Sequence, residues 1–359
     1  MTAFVDSCLD TLVHTAERVQ RSTKPRAKHL LKALAGKTNI LITAPVHPDP
    51  DAAASCLGML KLIGLALPAA KATVRFKGGD SPRLTAFAKT VGLAYEPWDD
   101  AALPQYDAIV MLDTQPAFGT SPLPVGTTPT VVIDHHRGRG RRARVPFADV
   151  QTDVGATASI VFSYFMELHH TIDPTLAAAL LYGIECDIAG AAGHQSPLDA
   201  VAISGLVLNA DVRKLWQMRY VALPENYFVA FARAVQAATR FGNVVVTHAG
   251  GVRQIEEAAL LADGLLRLDG VDCVLVTAVH EGRLILSLRT QSSRLSAGEV
   301  MRRLVNKLGE GGGHRAKAGG QIPLGQPGGP CVDRVQKVIA RRLLRCLHVA
   351  NVRGVPLSA

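Results

Sequence analysis

The chain has 359 residues, 48% of them hydrophobic, and its formal net charge at pH 7 is +9. This length and composition favour a globular protein of two or three domains, and the positive charge favours polyanionic partners such as nucleotides, nucleic acid or polyphosphate. The six cysteines have no CxxC spacing, which argues against a zinc knuckle or a disulfide framework. With no signal-peptide pattern and no apolar segment long enough to span a bilayer, we expect a cytoplasmic protein with no membrane partner.

The first half of the chain alternates apolar strands with helices. Runs typical of buried strands occur at residues 39–43, 72–76, 108–112 and 130–133. Helical patterns occur at residues 5–34, 56–67, 84–91, 155–168 and 175–184. This alternation predicts a doubly wound, mostly parallel sheet.

Acidic residues follow three of these strands. A segment with Asp49 and Asp51 follows the first strand, Asp113 closes the third, and Asp134 with His135 and His136 closes the fourth. Residues just past the carboxyl ends of the strands line the ligand crevice of an open α/β sheet. Carboxylate and imidazole donors together suit Mn²⁺, Fe²⁺, Co²⁺ or Zn²⁺ better than Ca²⁺. The pattern therefore predicts a metal site at this edge.

Each of these signals also has a simpler interpretation. The Asp-His-His run is compatible with a solvated strand end, and the Pro/Asp segment with a turn in which Asp51 caps the next helix. Asp187 is either a further ligand or an ordinary acid at a helix end, although the helix dipole disfavours a carboxylate there unless a positive charge lies opposite. The basic run at residues 137–144 is either a phosphate-binding arm or a solvated charge run.

The apolar pattern weakens between residues 211 and 224, where we place the domain boundary. Beyond the boundary, strands are predicted at residues 243–247, 272–279 and 283–289, the last two as a hairpin. Helices are predicted at residues 226–239, 255–266 and 297–308.

This second half carries its own candidate site, a glycine-rich loop in which Gly311, Gly312 and Gly313 precede His314. Glycines let backbone N–H groups converge on a phosphate, while His314 and Arg289 supply charged donors. A flexible linker would instead carry serine and acidic residues among its glycines. We therefore expect this loop to bind an anion.

Taken in chain order, these motifs resemble those of DHH family phosphoesterases with a C-terminal DHH-associated domain, of the nano-RNase (oligoribonuclease and 3′-phosphoadenosine 5′-phosphate, pAp, phosphatase) type. The motifs are Pro48-Asp49-Pro50-Asp51-Ala52, Asp113, Asp134-His135-His136, Gly183-Ile184-Glu185-Cys186-Asp187 and Gly311-Gly312-Gly313-His314. The resemblance covers nearly the whole chain. It implies a doubly wound, mostly parallel DHH domain, a smaller α/β C-terminal domain, and an active site in the cleft between them.

The resemblance also implies a division of the chain. Residues 1–211 would form the catalytic DHH domain with its N-terminal helix, and residues 212–240 a linker with a connecting helix. Residues 241–350 would form the DHH-associated, substrate-binding domain, followed by a C-terminal tail at residues 351–359. Because family members are often dimers, a homodimer is expected.

Two divalent metal ions, with Mn²⁺ expected, follow from the same resemblance. Asp49 and Asp113 would hold one ion. Four residues would hold the other, namely Asp51, Asp113, His135 and Asp187. Asp113 would thus bridge the two ions.

The remaining motif residues would act on the substrate. His136 would contact the substrate phosphate, and Asp134 would orient the histidine pair; these two are the expected catalytic residues. The expected substrate-binding residues are Arg289, Gly311, Gly312, Gly313 and His314.

The chain departs from the family pattern in the first motif. Many members carry a histidine ligand where this chain has Pro45, and asparagine where this chain has His47. Either His47 substitutes as a metal ligand or the first ion is held more weakly. A second departure is Ile188-Ala189 after the fourth motif, where members often have Thr-Gly.

The activity implied is a metal-dependent phosphodiesterase or phosphatase that hydrolyses short RNA oligonucleotides, linear dinucleotides or pAp by two-metal activation of water. A polyphosphatase or pyrophosphatase would use the same metals without recognising a base. A non-catalytic nucleotide sensor with a degenerate metal site is the third reading, motivated by Pro45. Aromatic residues make up only 5% of the chain, which favours small substrates over long single strands.

Overall fold

A computed structural model of the chain describes residues 14, 26–79, 81–138, 145–188, 195–292, 294–313, 315–325 and 332–358. Most of the predicted N-terminal helix, residues 139–144 of the basic run, and His314 lie outside the described residues. The described chain divides into two compact units, one ending at residue 221 and the other beginning at residue 222. Across the described ranges, every helix is too short or too polar to cross a lipid bilayer.

The first unit is built on a six-stranded sheet in which all paired strands are parallel. Its strands are β1 (Asn39–Thr43), β2 (Lys71–Phe76), β3 (Glu96–Pro97), β4 (Ala108–Leu112), β5 (Val131–Asp134) and β6 (Phe147–Val150). Their spatial order is β3-β2-β1-β4-β5-β6, so the winding direction reverses between β1 and β4. Such a reversal is where open α/β sheets bind ligands. The predicted doubly wound parallel sheet is confirmed.

Seven helices of the described chain belong to this unit. They are α1 (Arg26–Leu34), α2 (Pro50–Ala66), α3 (Pro82–Val91), α4 (Thr157–Glu167), α5 (Pro174–Ile188), α6 (Pro197–Val207) and α7 (Val212–Arg219). Strand β4 is buried along its whole length and β1 along most of it, as expected for parallel strands covered on both faces. The core therefore runs continuously between the sheet and the helices.

The main difference from the sequence prediction in this unit is the start of α2. The helical pattern was expected to start at residue 56, but the helix begins at Pro50. The Asp49 carboxylate caps it by accepting a hydrogen bond from the backbone N–H of Ala52 at 3.0 Å. Proline fits the first helical position because its missing N–H would have no partner there. The predicted start at residue 56 is therefore wrong, and Asp51 lies in the first turn of the helix rather than at its cap.

The second unit contains a seven-stranded mixed sheet with helices on both faces. In spatial order the strands are β11 (Glu310–Gly313), β12 (Lys317–Pro323), β10 (Arg283–Thr290), β9 (Cys273–His280), β8 (Val244–Gly251), β7 (Thr239–Phe241) and β13 (Val355–Pro356). The pair β8 and β9 is parallel and the other pairs are antiparallel. The helices are α8 (Glu225–Ala237), α9 (Ile255–Leu265), α10 (Ala297–Val305) and α11 (Val332–Cys346). Side chains of α8 and α9 pack in one apolar cluster, and those of α10 and α11 in another.

The glycine-rich segment of this unit is not a loop. Gly311 and Gly312 lie in β11 opposite Gly320 and Gly319 of β12, so the segment forms an antiparallel hairpin at the sheet edge. A Cβ atom on Gly311 would lie 2.9 Å from Cγ of Met301 in α10, and one on Gly320 would lie 2.8 Å from its Sδ. The glycines thus let α10 pack directly on the hairpin backbone, and the sequence analysis missed this role.

Candidate metal centre

The candidate ligands of the first unit gather where β1, β4 and β5 end. These three strands are neighbours in the sheet, so their carboxyl ends open onto one edge. Asp113 follows β4 directly, and His135 follows β5 directly. The strand-end positions of these residues in the sequence predicted this convergence.

Asp113 has an unusual backbone conformation for a side chain this large. Its φ angle is +59°, in the left-handed region, and its N–H donates to the carbonyl of Ile133 at 2.9 Å. Such a conformation costs about 1–3 kcal/mol and persists only where the surrounding structure imposes it. The carboxylate is 5% exposed, and its Oδ1 accepts a hydrogen bond from Thr157 Oγ1 at 2.8 Å. The fold thus aims Asp113 inward at a fixed position.

Asp51 is fully buried and holds the start of α4. Its Oδ2 accepts from the backbone N–H of Thr157 at 2.7 Å, and its Oδ1 from that of Ala158 at 2.9 Å. Ala156, at the N-cap position of α4, provides no side-chain cap, so Asp51 supplies the cap from α2. Each carboxylate oxygen has a second lone pair, which is available to a metal ion.

His135 is oriented by a backbone carbonyl. Its Nδ1 lies 3.2 Å from the carbonyl oxygen of Val154, a contact that places the ring proton on Nδ1. The other nitrogen, Nε2, faces Asp187 Oδ2 at 3.2 Å and Asp113 Oδ1 at 3.6 Å. In the protonated ring Nε2 donates to Asp187, whereas in the neutral ring its lone pair would be available to a metal ion. Metal-binding histidines in proteins typically have this arrangement.

Asp187 reaches the site because α5 packs closely on α2. A Cβ atom on Gly183 would lie 2.9 Å from Cβ of Ala54 and 3.2 Å from Cα of Asp51. Glycine at this position therefore allows the two helix backbones to approach, and Asp187 follows one turn later. The fourth motif combines a packing requirement with a candidate ligand.

His136 is held by Asp134, which is fully buried. Asp134 Oδ1 lies 2.6 Å from His136 Nδ1, and its Oδ2 accepts from Gln115 Nε2 at 2.7 Å. Burial alone would raise the pKa of Asp134, but the hydrogen bond with His136 and its charge lower it overall. Asp134 is thus an ionised residue that positions an imidazole.

The charges of the site are unfavourable without a cation. Burial, followed by the repulsion of neighbouring carboxylates, raises the pKa of both Asp51 and Asp113 well above the ordinary value. Burial alone would lower the pKa of His135, but the hydrogen bond with Asp187 and the surrounding carboxylates raise it. A divalent cation would offset the crowded negative charge directly.

Two overlapping sets of donor atoms could hold such cations. One set is Asp113, His135 and His136, and the other is Asp51, His135 and Asp187; within each set the ligand atoms lie within 4.8 Å of one another. The mixture of carboxylate and imidazole donors fits Mn²⁺, Fe²⁺, Co²⁺ or Zn²⁺. The residues present therefore fit the expected metal centre.

Asp49 and His47 lie at the margin of this centre. Asp49 is exposed, but its charge contributes to the raised pKa of Asp51 and of Asp113, so it lies within electrostatic reach of both. His47 has its Nδ1 3.2 Å from the carbonyl oxygen of Gly78, and it belongs to neither donor set among the described residues. Its role as a metal ligand stays a prediction.

The candidate substrate-binding residues that the structure describes in the second unit lie on strands β10 and β11. Arg289, on β10, is half-buried and pairs through Nε with Asp263 Oδ1 at 2.5 Å. Its Nη1 donates to Ser287 Oγ at 3.1 Å and to the carbonyl of Leu288 at 3.2 Å. Gly311, Gly312 and Gly313 lie in strand β11.

Two residues of the centre were missed from the sequence. Thr157 contacts both buried carboxylates, and Gln115 fixes Asp134 while also donating to the carbonyl of His136 at 3.0 Å. The available signal for Thr157 was weak: a helix begins there without a capping side chain before it. Gln115 follows Asp113 by two residues, and nothing in the sequence around it indicates a role at the centre.

Comparisons with known protein families match one domain in each half of the chain. The DHH family N-terminal domain matches residues 39–184, and the DHHA1 domain matches residues 242–343. An uncharacterized protein of Methanocaldococcus jannaschii is 29% identical over 295 residues, which is 80% of this chain. The match covers 59% of that protein, so the chain spans less than two thirds of this curated relative's length.

Solved structures share the fold at low sequence identity. An exopolyphosphatase-related protein from Bacteroides fragilis has a TM-score of 0.65 at 16% identity, covering 91% of this chain and 97% of that one. RecJ from Thermus thermophilus in complex with Mn²⁺ has a TM-score of 0.54 at 13% identity, covering 92% of this chain and 55% of that one. At these identities the likeness shows the fold alone.

The raised pKa values predict how a metal ion stabilises the protein at different pH. Folded Asp51 and Asp113 retain protons that the unfolded chain releases, so the metal-free protein loses stability as pH rises above the ordinary carboxyl pKa. His135 acts in the same direction, because its stabilising contribution is lost as pH rises through its raised pKa. Mn²⁺ competes with these protons, so it should raise the Tm more at about pH 8 than at about pH 5. Thermal unfolding with Mn²⁺ and with EDTA measures this, and an equal shift at both pH values would contradict it.

Thr157→Val should weaken metal binding without unfolding the protein. Valine removes the Oγ1 donor to Asp113 but keeps the backbone N–H that donates to Asp51 Oδ2. Losing such a supporting bond typically costs about ten-fold in metal affinity, to be measured by titration calorimetry with Mn²⁺. Ser159→Ala is the matched control, because the buried Ser159 hydroxyl on the same helix has no partner among the described residues. Wild-type affinity in Thr157→Val would show that Thr157 does not position Asp113.

Proposed function

Because this chain belongs to the DHH family, with a DHH N-terminal domain followed by a DHHA1 domain, we propose that it hydrolyses phosphate esters of short RNA oligonucleotides, linear dinucleotides or pAp. The observation that carries the proposal is the pair of overlapping donor sets built on buried Asp51 and Asp113. Family membership and this chemistry together support a metal-dependent hydrolase. The substrate class is tested by hydrolysis assays with each of these compounds.

The metal ligands are proposed on the same basis. One divalent ion is assigned to Asp49 and Asp113. The other is assigned to Asp51, Asp113, His135 and Asp187, with Mn²⁺ as the expected metal. Divalent ions at such a centre lower the pKa of water and offset charge on phosphoryl oxygens.

The remaining groups would bind and orient the substrate. Asp134 Oδ1 lies 2.6 Å from Nδ1 of His136, and this hydrogen bond fixes the orientation of the ring. The Nε2 side of the ring is proposed to contact an oxygen of the substrate phosphate. Gln115 secures Asp134 from the opposite side, which keeps the imidazole from rotating.

Arg289 is proposed to capture a terminal phosphate. Asp263 and Ser287 engage Nε and Nη1 of its guanidinium, which fixes the plane of the group. Within the ranges that the structure describes, Nη2 makes no hydrogen bond and could donate to a ligand. Gly311, Gly312, Gly313 and His314 are proposed to share this role. The strand position of the three glycines supports contacts through exposed backbone atoms at the sheet edge.

A polyphosphatase is the second candidate, favoured by the fold shared with the exopolyphosphatase-related protein. Both activities would use the same metal ligands. They differ in the substrate, because polyphosphate offers no base or sugar to recognise. Hydrolysis of tripolyphosphate but of no nucleotide would favour this second candidate.

The primary test is hydrolysis by the wild type and by Asp113→Ala. With Mn²⁺, the wild type should hydrolyse pAp, a linear dinucleotide or a short RNA, and EDTA should stop the reaction. Asp113→Ala should reduce turnover to background, because its loss removes a ligand assigned to both ions. Asp269→Ala, at an exposed position of the second unit, is the control and should keep its activity. Near-normal turnover of Asp113→Ala at saturating Mn²⁺ would contradict the two-metal assignment.

Arg289→Ala should impair substrate capture while metal binding stays intact. Losing a charge-assisted contact with a phosphate should lower kcat/KM for dinucleotide and pAp by about ten- to a hundred-fold. The generic ester bis-p-nitrophenyl phosphate should be affected far less. Arg283→Ala is the matched control, since Arg283 lies exposed on the same strand and bonds Gln321. Equal losses on the ester and the nucleotides would exclude a capture role.

A further inference from the structure

A cavity of about 970 Å³ lies beyond the ends of β2 and β3, within the first unit. The residues that line it come from the segments 76–79 and 95–101. Its volume is in the range of about 300–1,000 Å³ that is typical of small-molecule sites. None of the residues assigned to the metal centre lines it among the described residues.

Three aromatic side chains are among the residues that line this cavity. Phe76 is buried, and its ring centroid lies 5.1 Å from that of Tyr95 at an interplanar angle of 45°. The Tyr95 hydroxyl donates to the carbonyl of Gly79 at 2.6 Å, which fixes the ring. Trp98 is half-buried; it packs partly on an apolar cluster of the sheet and also lines the cavity. A flat, apolar ligand surface can stack in such a place.

Two carboxylates form the polar part of the lining. Asp100 Oδ1 accepts from the indole Nε1–H of Trp98 at 2.9 Å, and Asp99 Oδ1 accepts from the N–H of Ala101 at 2.9 Å. Within the described part of the chain these bonds use only Oδ1 of each residue, so Oδ2 is left to accept from a ligand. Both residues are exposed, with Lys77 as the nearby cation of the lining. The cavity therefore suits a hydrogen-bond donor better than a phosphate.

The turn that lines the cavity also touches the loop leading to the metal centre. The carbonyl of Lys77 accepts from the backbone N–H of His47 at 2.9 Å, and that of Gly78 lies 3.2 Å from His47 Nδ1. A Cβ atom on Gly78 would lie 2.3 Å from the same Nδ1, so the ring packs directly on this turn. Asp49 follows His47 by two residues. The turn at residues 77 and 78 thus contacts both the cavity and the segment that leads to Asp49.

We propose that this cavity binds a guanine base. Guanine presents two adjacent N–H donors, N1 and N2. They match one carboxylate if one donor bonds to Oδ2 and the other to the second lone pair of Oδ1, while the purine rings can stack on Trp98. Adenine offers one donor beside an acceptor, and uracil one donor between two carbonyl acceptors, which a carboxylate repels. The inference rests on the proposed function in one respect, because it names guanine nucleotides as the favoured substrate class of the adjacent centre.

The chain's two tryptophans, Trp98 and Trp216, give a direct binding assay. Trp216→Phe leaves Trp98 as the sole emitter, and Trp98→Phe leaves Trp216, which is 60% exposed on α7. Guanosine is titrated into each variant in EDTA, with excitation at the red edge of the tryptophan band. Saturable quenching is expected in Trp216→Phe and none in Trp98→Phe.

The base preference and the carboxylate are tested in the same background. Guanosine should bind at least about ten-fold more tightly than adenosine, a purine of similar stacking area, and Asp100→Asn should reduce the guanosine affinity about ten-fold. Asparagine keeps an oxygen that accepts from Trp98, and Asp269→Asn is the control for the charge change. If Asp100→Asn fails to fold, as judged by thermal unfolding, the comparison of guanosine with adenosine decides alone. Absent quenching, equal affinities for the two nucleosides, or an unchanged affinity in folded Asp100→Asn would overturn the proposal.

The assay separates this inference from the proposed hydrolase activity. Guanosine has no phosphate and EDTA removes metal ions, so binding can succeed or fail independently of hydrolysis. A kinetic comparison then identifies the source of the base. If Asp100→Asn raises the KM for a diguanosine dinucleotide more than the KM for a diuridine dinucleotide, each relative to the wild type, then the cavity binds the base of the substrate. Guanosine binding with unchanged KM values supports the same site occupied by a separate guanine nucleotide.

Discussion

Two carboxylates buried against the first turn of α4 are the interaction on which the centre depends. Thr157 holds both, through its backbone N–H to Asp51 and its hydroxyl to Asp113. Burying like charges side by side is unfavourable, and the raised pKa of each carboxyl expresses that cost. The positive end of the α4 dipole and the hydrogen bonds offset part of it. A cation would offset the rest. The burial of these two carboxylates therefore favours metal binding here, whatever the arrangement of the other ligands.

The sheet and the strand-end residues could be predicted because they follow from local patterns. Runs of β-branched and aliphatic residues mark β1, β4 and β5, and their shared edge follows from parallel pairing. Thr157 could not be found this way, because its partners lie 106 and 44 residues away in the sequence. The start of α2 at Pro50 was missed for another reason. Pro/Asp segments are typical both of turns and of helix starts, and only the Asp49 cap distinguishes the two.

Glycine has two possible structural roles in a glycine-rich segment, and composition alone does not distinguish them. A phosphate loop needs glycines so that backbone N–H groups can converge, whereas a packed hairpin needs them so that a helix can approach. In the hairpin of β11 and β12, Gly311 and Gly320 meet Met301 at distances that leave no room for a side chain. Gly183 does the same for α5 and α2. Close approach of backbones thus explains glycines in two motifs that were first interpreted through their chemistry.

The metal chemistry proposed for the centre would not by itself select among phosphate esters, because charge on the phosphoryl oxygens is common to all of them. Substrate choice must therefore come from side chains that contact other parts of the molecule. Arg289, fixed by Asp263, offers a cationic donor that suits a terminal phosphate but distinguishes neither RNA from polyphosphate nor one base from another. The cavity beside Trp98 has the opposite character, since its aromatic and acidic lining disfavours phosphate and favours a donor-bearing base. Selectivity for nucleotides over polyphosphate would thus depend on that acidic cavity. The chain's net positive charge attracts both kinds of anion and does not distinguish them.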